Sequence, residues 1–484
     1  MNQIPFPAHG LPKQTVLEKM QVLRGNDVRW QEGKVFSLVF HAGKEIEDLL
    51  KEAYLMFFAE NGLNPTAFPS LRRFETEVVA MTASLLGSAG TVVGNMTSGG
   101  TESILMAVKT ARDWARAEHP TIRAPEMILP LTAHPAFDKA AQYFGVKVVH
   151  VPVGSDFRAD IAAMRAALTP NTILLVGSAP SYPHGVVDPI RELAQIAREN
   201  NLLFHVDACV GGFMLPFVRR LGYPVPDFDF RVPGVTSMSV DLHKYGYAAK
   251  GASLILYRSG EIRRAQIFVY TDWSGGIYAS PTMTGTRPGG AIAAAWAILN
   301  YLGEEGYLAI ADVVMRTTVK IKEGINAIDG IRVLSDPEMS VLAIGSDHLD
   351  IYEVGDEMTL RGWHMDRQQF PPSLHITVNY AHAQSADALL RDLADAVRAA
   401  KKPSLRKSGN ALALMMADAA TRWLPERVVS RLTAQASSLF GEGAGLPQRS
   451  AAMYGMMGSL PNRGDLKELV LDLVEQFTVP QKQK

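Results

Sequence analysis

From about residue 64 to residue 257, short apolar runs alternate with amphipathic stretches, and this alternation leaves few architectures open. The runs are 91–93, 127–129, 146–151, 173–176, 202–206, 236–240 and 253–256, with helical spacing at 101–116, 136–144 and 189–199 between several of them. Apolar strands separated by helices build a mostly parallel sheet covered on both faces. The expected fold is therefore α/β, with a seven-stranded, mostly parallel sheet. In such sheets ligands gather outside the carboxyl ends of the strands.

The flanks read differently. Helical spacing occurs at 15–24 and 45–58, and an Ala-rich helix at 291–302 leads toward another at 308–325. Strands at 341–343 and 374–378 with a helix at 386–399 suggest an α+β unit. A chain of 484 residues is long enough for two or three domains. The division expected is an N-terminal segment 1–60, a large domain 61–305 and a smaller α+β domain 306–484, within which the polar stretch 401–450 reads as an insertion or a mobile segment.

Composition narrows the function. A net charge of −1 gives no electrostatic footprint for nucleic acid or an anionic membrane. The single cysteine, Cys209, rules out an intrachain disulfide framework and a Cys-based zinc site, and no metal site is expected. Residues 1–13 are interrupted by Pro5, Pro7 and Pro12 and lack the basic-then-apolar pattern of a signal peptide. No apolar run reaches the length of about eighteen residues that a membrane span needs. A soluble, cytoplasmic protein is expected.

The chemistry lies at the strand ends. His243-Lys244 leaves the run 236–240 and enters a turn containing Gly246. A lysine there can form a Schiff base with an aldehyde, and the run 202–206 ends in a carboxylate, Asp207. Together they meet the needs of pyridoxal 5'-phosphate (PLP): Lys244 for the aldehyde, Asp207 to keep the pyridine nitrogen protonated. Ser98-Gly99-Gly100-Thr101 follows a strand and opens a helix, where free N–H groups and the helix dipole favour a phosphate. The alternative there is a helix cap with a glycine turn. His134, at another strand end, offers a flat ring for stacking. A lone histidine is more often a satisfied polar residue, and only its place in the order of motifs favours the cofactor. Cys209 reads as packing, since no partner base is evident.

Taken in order, these motifs resemble fold-type I PLP enzymes, and more closely the sphingosine-1-phosphate lyase branch of the group II decarboxylase family. The resemblance is carried by Thr97-Ser98-Gly99-Gly100-Thr101-Glu102-Ser103, Ala133-His134, Pro183-His184-Gly185-Val186-Val187-Asp188-Pro189 and His205-Val206-Asp207-Ala208-Cys209. It continues through residues 241–246 with Lys250-Gly251, Thr271-Asp272-Trp273-Ser274-Gly275-Gly276, Gly285-Thr286-Arg287-Pro288-Gly289-Gly290, Gly362-Trp363 and Gln369-Phe370-Pro371-Pro372 with His375. It covers roughly residues 30–400 and returns at Tyr454-Gly455. Decarboxylases of the wider family usually carry Trp after the lysine; Tyr245-Gly246 here favours the lyase branch.

The resemblance implies roles. Lys244 would hold the cofactor, Gly100, Thr101 and His243 its phosphate, His134 would stack on its ring, and Asp207 would face its nitrogen. Tyr182 and Lys250 become candidates for proton transfer and substrate contact. Gly285-Thr286 would reach a neighbouring subunit's site, which implies a homodimer. Phe40, His41 and Asn64 would face the substrate head group. Phe40 stands where a Tyr is expected and Asn64 where a His is expected, so two hydrogen-bond donors for a phosphate are missing and His41 is the available substitute. The implied reaction is retro-aldol cleavage of a phosphorylated sphingoid base to a long-chain aldehyde and phosphoethanolamine. Amino-acid decarboxylation, or aldol cleavage of another β-hydroxy amine, remains open, because the cofactor motifs alone do not set which Cα bond breaks.

Overall fold

A computed structural model describes residues 4–25 and 27–402, together with isolated positions between 451 and 478. The stretch 401–450 therefore lies, from residue 403 on, outside the described residues, as do Tyr454 and Gly455. Three helices come first: α1 (Lys13–Arg24), α2 (Lys44–Met56) and α3 (Pro69–Leu85). The central region follows with β1 (Val93–Thr97), α4 (Gly100–Glu118), β2 (Glu126–Pro130), α5 (Ala136–Phe144), β3 (Lys147–Val151) and α6 (Ile161–Ala166). It continues through β4 (Thr172–Ser178), α7 (Ile190–Glu199), β5 (Leu203–Asp207), α8 (Leu215–Arg220), β6 (Ser237–Val240) and β7 (Ser253–Tyr257).

These seven strands form one sheet in the order β1-β7-β6-β5-β4-β2-β3. Only β7 runs antiparallel to its neighbours, β1 and β6. The remaining pairs are parallel, so β2, β4, β5 and β6 end at the same edge. Every residue of β2, β4, β5, β6 and β7 is buried, as strands covered by helices on both faces require.

The first strand departs from expectation: only Val93 of the run 91–93 lies in β1. The sequence Val-Gly-Asn-Met-Thr reads poorly as a strand because two of its positions serve contacts. A Cβ on Gly94 would stand 2.3 Å from the Ile255 carbonyl oxygen. Asn95 turns its Oδ1 to Arg263 and Gln266, which both donate to it.

After α9 (Gly260–Arg264) comes a hairpin that the apolar pattern did not announce, β8 (Phe268–Trp273) and β9 (Gly276–Ser280). Phe268, Val269, Tyr270, Trp273 and Ile277 on it are all exposed. The two helices expected at 291–302 and 308–325 run on as α10 (Gly289–Asn326), interrupted at Gly303, whose φ of 53° and ψ of −167° favour glycine. A second sheet then forms from β10 (Arg332–Val333), β11 (Val341–Gly345), β12 (Asp366–Gln369) and β13 (Pro372–Thr377), with α11 (Ile351–Leu360) and α12 (Ala386–Lys401). Its order is β10-β11-β13-β12. Among the described residues no helix is long and apolar enough to cross a membrane.

The chain before α2 is built into this second sheet. Val35 bridges His364 in parallel, and Phe36 donates its N–H to the His364 carbonyl at 3.1 Å. The Phe36 ring is fully buried and stacks on His382 at 4.2 Å, in one core with Trp363, Leu342 and Leu389. Phe36→Ala should therefore cost about 3–5 kcal/mol, the usual penalty for emptying a buried aromatic site. Denaturant unfolding measures it; a loss below about 1 kcal/mol would mean that the N-terminal strap does not support the second core.

Candidate active site

β5 and β6 end side by side, with Asp207 opposite Ser239 in register. Asp207 Oδ1 accepts from the Cys209 N–H and the Ser239 hydroxyl, each at 3.1 Å. No donor among the described residues reaches its other oxygen. One residue beyond β6, the Asp241 carboxylate is 1 % exposed and sits 2.8 Å from Lys244 Nζ. Burial alone would lower the Lys244 pKa; Asp241, with Cys209 and Asp207 behind it, outweighs burial and raises it. Asp241 moves the opposite way: burial would raise its pKa, but Lys244 and His243 hold it below the ordinary carboxylate value. Cys209 is buried, and that burial, with Asp207 and Asp241 nearby, pushes its thiol well up, so it is no thiolate.

His243 Nδ1 accepts the Ala252 N–H at 3.3 Å, and burial lowers the ring to about 4. It is neutral at pH 7, with its proton on Nε2. The His243 ring lies against Gly99: a Cβ there would stand 3.5 Å from His243 Cε1. The start of α4 meets the lysine turn at Gly100, where a Cβ would come 2.7 Å from Cys209 Sγ and 2.8 Å from Asp241 Oδ2. Only glycine lets the free N–H groups of this helix end come so close.

These residues suit PLP. The group needs a primary amine for its aldehyde, an acid for its ring nitrogen and N–H donors for its phosphate; Lys244, Asp207 and the start of α4 are of those kinds and share one edge of the sheet. Polar atoms left over point the same way. Thr132 Oγ1, Ser181 Oγ and Asp241 Oδ1 are buried without a partner among the described residues, and they follow the carboxyl ends of β2, β4 and β6.

Two further candidates adjoin the lysine. Tyr182, on the loop after β4, donates its hydroxyl to Asp366 Oδ2 at 2.7 Å and stacks on His375 at 4.1 Å. Burial first, then Asp366, raises the Tyr182 phenol well above its ordinary value, while Ser37 and Lys244 pull the other way. Lys250 donates to the His243 carbonyl at 3.3 Å and places Nζ 5.6 Å from the Phe40 ring centroid. The residue is exposed, yet partial desolvation and then repulsion from Lys244 lower its pKa to about 8. Phe40 in turn meets Tyr245 edge to face at 4.9 Å.

The other candidates make contacts of their own. His134 is exposed, and its Nδ1 accepts the Ala136 N–H at 3.1 Å at the start of α5. His41 lies edge-on to Trp30 at 5.2 Å, with Glu47 3.9 Å away, and partial burial lowers its pKa. Asn64 is exposed and spends its side-chain oxygen on the N–H groups of Thr66 and Ala67 and on the Thr66 hydroxyl. Gly285 and Thr286 follow the exposed hairpin, with Tyr278 beside Gly285. Thr101 is exposed in the first turn of α4, beside the buried Glu102 and Ser103. Asp241 and Asp366 are functional candidates that carry no role in the sequence motifs above. Asp241 had a legible signal, a carboxylate three residues before the lysine; Asp366, 184 positions from Tyr182, had none.

Comparison with known proteins agrees with this geometry. The pyridoxal-dependent decarboxylase conserved domain matches residues 3–344. A sphingosine-1-phosphate lyase of Arabidopsis thaliana is 50% identical over 82% of this chain and 74% of its own length. Sphingosine-1-phosphate lyase 1 of Rattus norvegicus is 43% identical over 90% of this chain and 76% of its own length. The solved sphingosine-1-phosphate lyase of Burkholderia pseudomallei K96243 superposes with a TM-score of 0.80 at 41% identity, covering 86% of this chain and 96% of that one. A glutamate decarboxylase of Lactobacillus brevis shares the fold at 18% identity and a TM-score of 0.73, over 84% of this chain and 96% of that one. Fold and strand-end residues thus define a fold-type I, PLP-dependent enzyme. The chain belongs to the pyridoxal-dependent decarboxylase family, in its sphingosine-1-phosphate lyase branch.

The two lysines should be chemically distinct in the cofactor-free protein. Only a neutral amine reacts with an acylating reagent, so a lowered pKa raises reactivity and a raised one suppresses it. Labelling of Lys250, followed by peptide mass spectrometry, should reach half its limit near pH 8, while Lys244 stays protected there. Asp241→Asn should increase Lys244 labelling at pH 8 by about tenfold or more, one pKa unit being a factor of ten. Unchanged protection of Lys244 would show that Asp241 does not hold its charge.

Proposed function

We propose that this PLP-dependent carbon–carbon lyase cleaves the Cα–Cβ bond of a phosphorylated sphingoid base, releasing a long-chain aldehyde and phosphoethanolamine. The observation that carries the reading is 50% identity to a sphingosine-1-phosphate lyase across 82% of the chain. Lys244 would hold the cofactor by its aldehyde. Asp207 would keep the ring nitrogen protonated, Gly100, Thr101 and the neutral His243 would hold the phosphate, and His134 would stack on the ring. Bound PLP supplies the sink for the electron pair left on Cα. Tyr182 and Lys250 move protons at the β-oxygen and Cα, and Phe40, His41 and Asn64 face the head group.

A homodimer is part of this reading, with Gly285 and Thr286 entering the neighbouring site. The exposed side chains of β8 and β9 support it, since five large apolar groups on one hairpin are unusual at a free surface. Sedimentation velocity should give a dimer mass, and a monomer at micromolar concentration would remove this part of the reading. The division near residues 60 and 305 belongs to the same proposal, supported by the break in α10 at Gly303. So does a cytoplasmic location, for which the lone, buried Cys209 speaks.

A second reading has its own support: a probable L-aspartate decarboxylase of Pyrococcus furiosus is 34% identical over 74% of this chain. Dihydrosphingosine phosphate separates the two. The protein loaded with PLP should release a fatty aldehyde, and Lys244→Ala should release none above background. Carbon dioxide from an amino acid, with no aldehyde, would establish the decarboxylase instead.

A further inference from the structure

Tyr182 rests on two groups from the far end of the chain. Asp366 on β12 and His375 on β13 are cross-strand partners in register. Tyr182 lies over this pair, its hydroxyl on Asp366 Oδ2 at 2.7 Å and its ring on His375 at 23° between planes. His375 is fully buried, and burial lowers it to about 4, so it faces the phenol as a neutral ring. Its nitrogens are engaged at 2.8 Å with the Thr377 hydroxyl and at 3.2 Å with the Gln368 amide. The phenol is thus held in plane by one neighbour and in direction by the other.

We propose that Asp366 positions Tyr182 and receives, through it, the proton that leaves the substrate's β-hydroxyl. The proposal rests on the lyase reading and deepens it. A phenol that holds its proton this firmly cannot wait as phenolate at neutral pH. It accepts a proton only by giving one up in the same event, and the carboxylate that already takes its hydrogen bond is Asp366.

The step balances. The β-hydroxyl proton passes to Tyr182 Oη while the phenolic proton passes to Asp366 Oδ2. The O–H pair becomes the second bond of the aldehyde carbonyl as the Cα–Cβ pair goes to Cα. Cα takes its proton from a separate donor. Asp366, whose side chain is 32% exposed, returns its own to water. Among the described residues, the titratable groups facing this pair include His364, 4.0 Å from Asp366 Oδ1, together with His375 and Lys244. The neutral His375 leaves the carboxylate as the one basic partner of the phenol on the second sheet.

The test compares Asp366→Asn, Tyr182→Phe and the double variant, each loaded with PLP, on dihydrosphingosine phosphate. Loading is checked by visible absorbance and folding by the melting temperature. Asp366→Asn preserves size and an accepting oxygen but cannot take the proton. It should lower kcat by about 100-fold, the scale of a lost acid–base partner, with KM within about threefold. In the pH–rate profile, an acid limb present in the parent should vanish. Tyr182→Phe should lose the same limb, which keeps the proposal testable if Asp366→Asn does not fold. The double variant should be no slower than about threefold below the poorer single one, as for residues acting as a unit.

A merely structural Asp366 would change stability or KM and leave the limb in place. The proposal is overturned if Asp366→Asn keeps kcat within about threefold, if the acid limb survives in either single variant, or if the two losses multiply. Absence of aldehyde from the fully loaded parent would instead bring down the lyase reading, and the proton route with it.

Discussion

A carboxylate buried beside a lysine organises this site. Asp241 is taken out of water at the end of β6, where an unpaired charge would be costly, and the ammonium of Lys244 at 2.8 Å compensates it. The pair restrains an otherwise flexible side chain at the edge of the sheet. It also explains the backbone around it. The turn from Asp241 to Gly246 folds back so that the His243 N–H reaches the Ala252 carbonyl at 3.0 Å, just before β7 begins. Gly100 completes the arrangement: any larger residue would push α4 away from both Asp241 and Cys209. Negative charge below, amide N–H groups beside and an amine between them make a cradle for an aldehyde that carries a phosphate.

His205 shows how the sheet keeps this edge rigid. The His205 side chain is fully buried, with Nδ1 2.9 Å from the Ser237 hydroxyl and Nε2 3.2 Å from that of Ser239. Burial lowers it to about 4, so it bridges β5 to β6 as a neutral group. Ser239 also donates to Asp207, which links the bridging histidine to the acid at the strand end. A buried network whose members each find a partner can specify one geometry at little electrostatic cost. The strands that carry the chemistry are thereby held in register by polar groups as well as by their apolar faces.

How far the sequence told this in advance depends on what each segment buries. β4, β5, β6 and β7 were legible because both faces are covered and most of their residues are apolar or small, which leaves a nearly continuous signal broken in β5 by His205 and Asp207. Asp207 and Lys244 were legible because they end such runs. β1 was misplaced because Gly94 and Asn95 answer to contacts with Ile255 and Arg263 from distant parts of the chain. The hairpin of β8 and β9 was missed because its large side chains point away from the fold, so no burial pattern in this chain accounts for them. Asp366 was invisible for a third reason. It lies in the polar run Asp-Arg-Gln-Gln, and its significance comes only from Tyr182 being folded against it.

Tyr245, the residue after the lysine, couples the two halves of the molecule. It is buried, and its hydroxyl donates to the Val378 carbonyl at 2.7 Å beside the Ser340 hydroxyl. Tyr247 offers its own hydroxyl oxygen to the Tyr380 N–H at 3.4 Å, and its φ of 53° bends the chain to do so. The lysine turn is thus attached to the second sheet through two aromatic side chains. The loop after β4 is attached to it through Gln368, which donates to the Pro183 carbonyl at 2.9 Å. The position of Lys244 is set from the second sheet as well as the first, so docking the sheets and shaping the cofactor site are one event. Free energy gained by a ligand that favours this geometry must then appear as tighter docking, and loosening the contact at Tyr245 must weaken the ligand by the same amount.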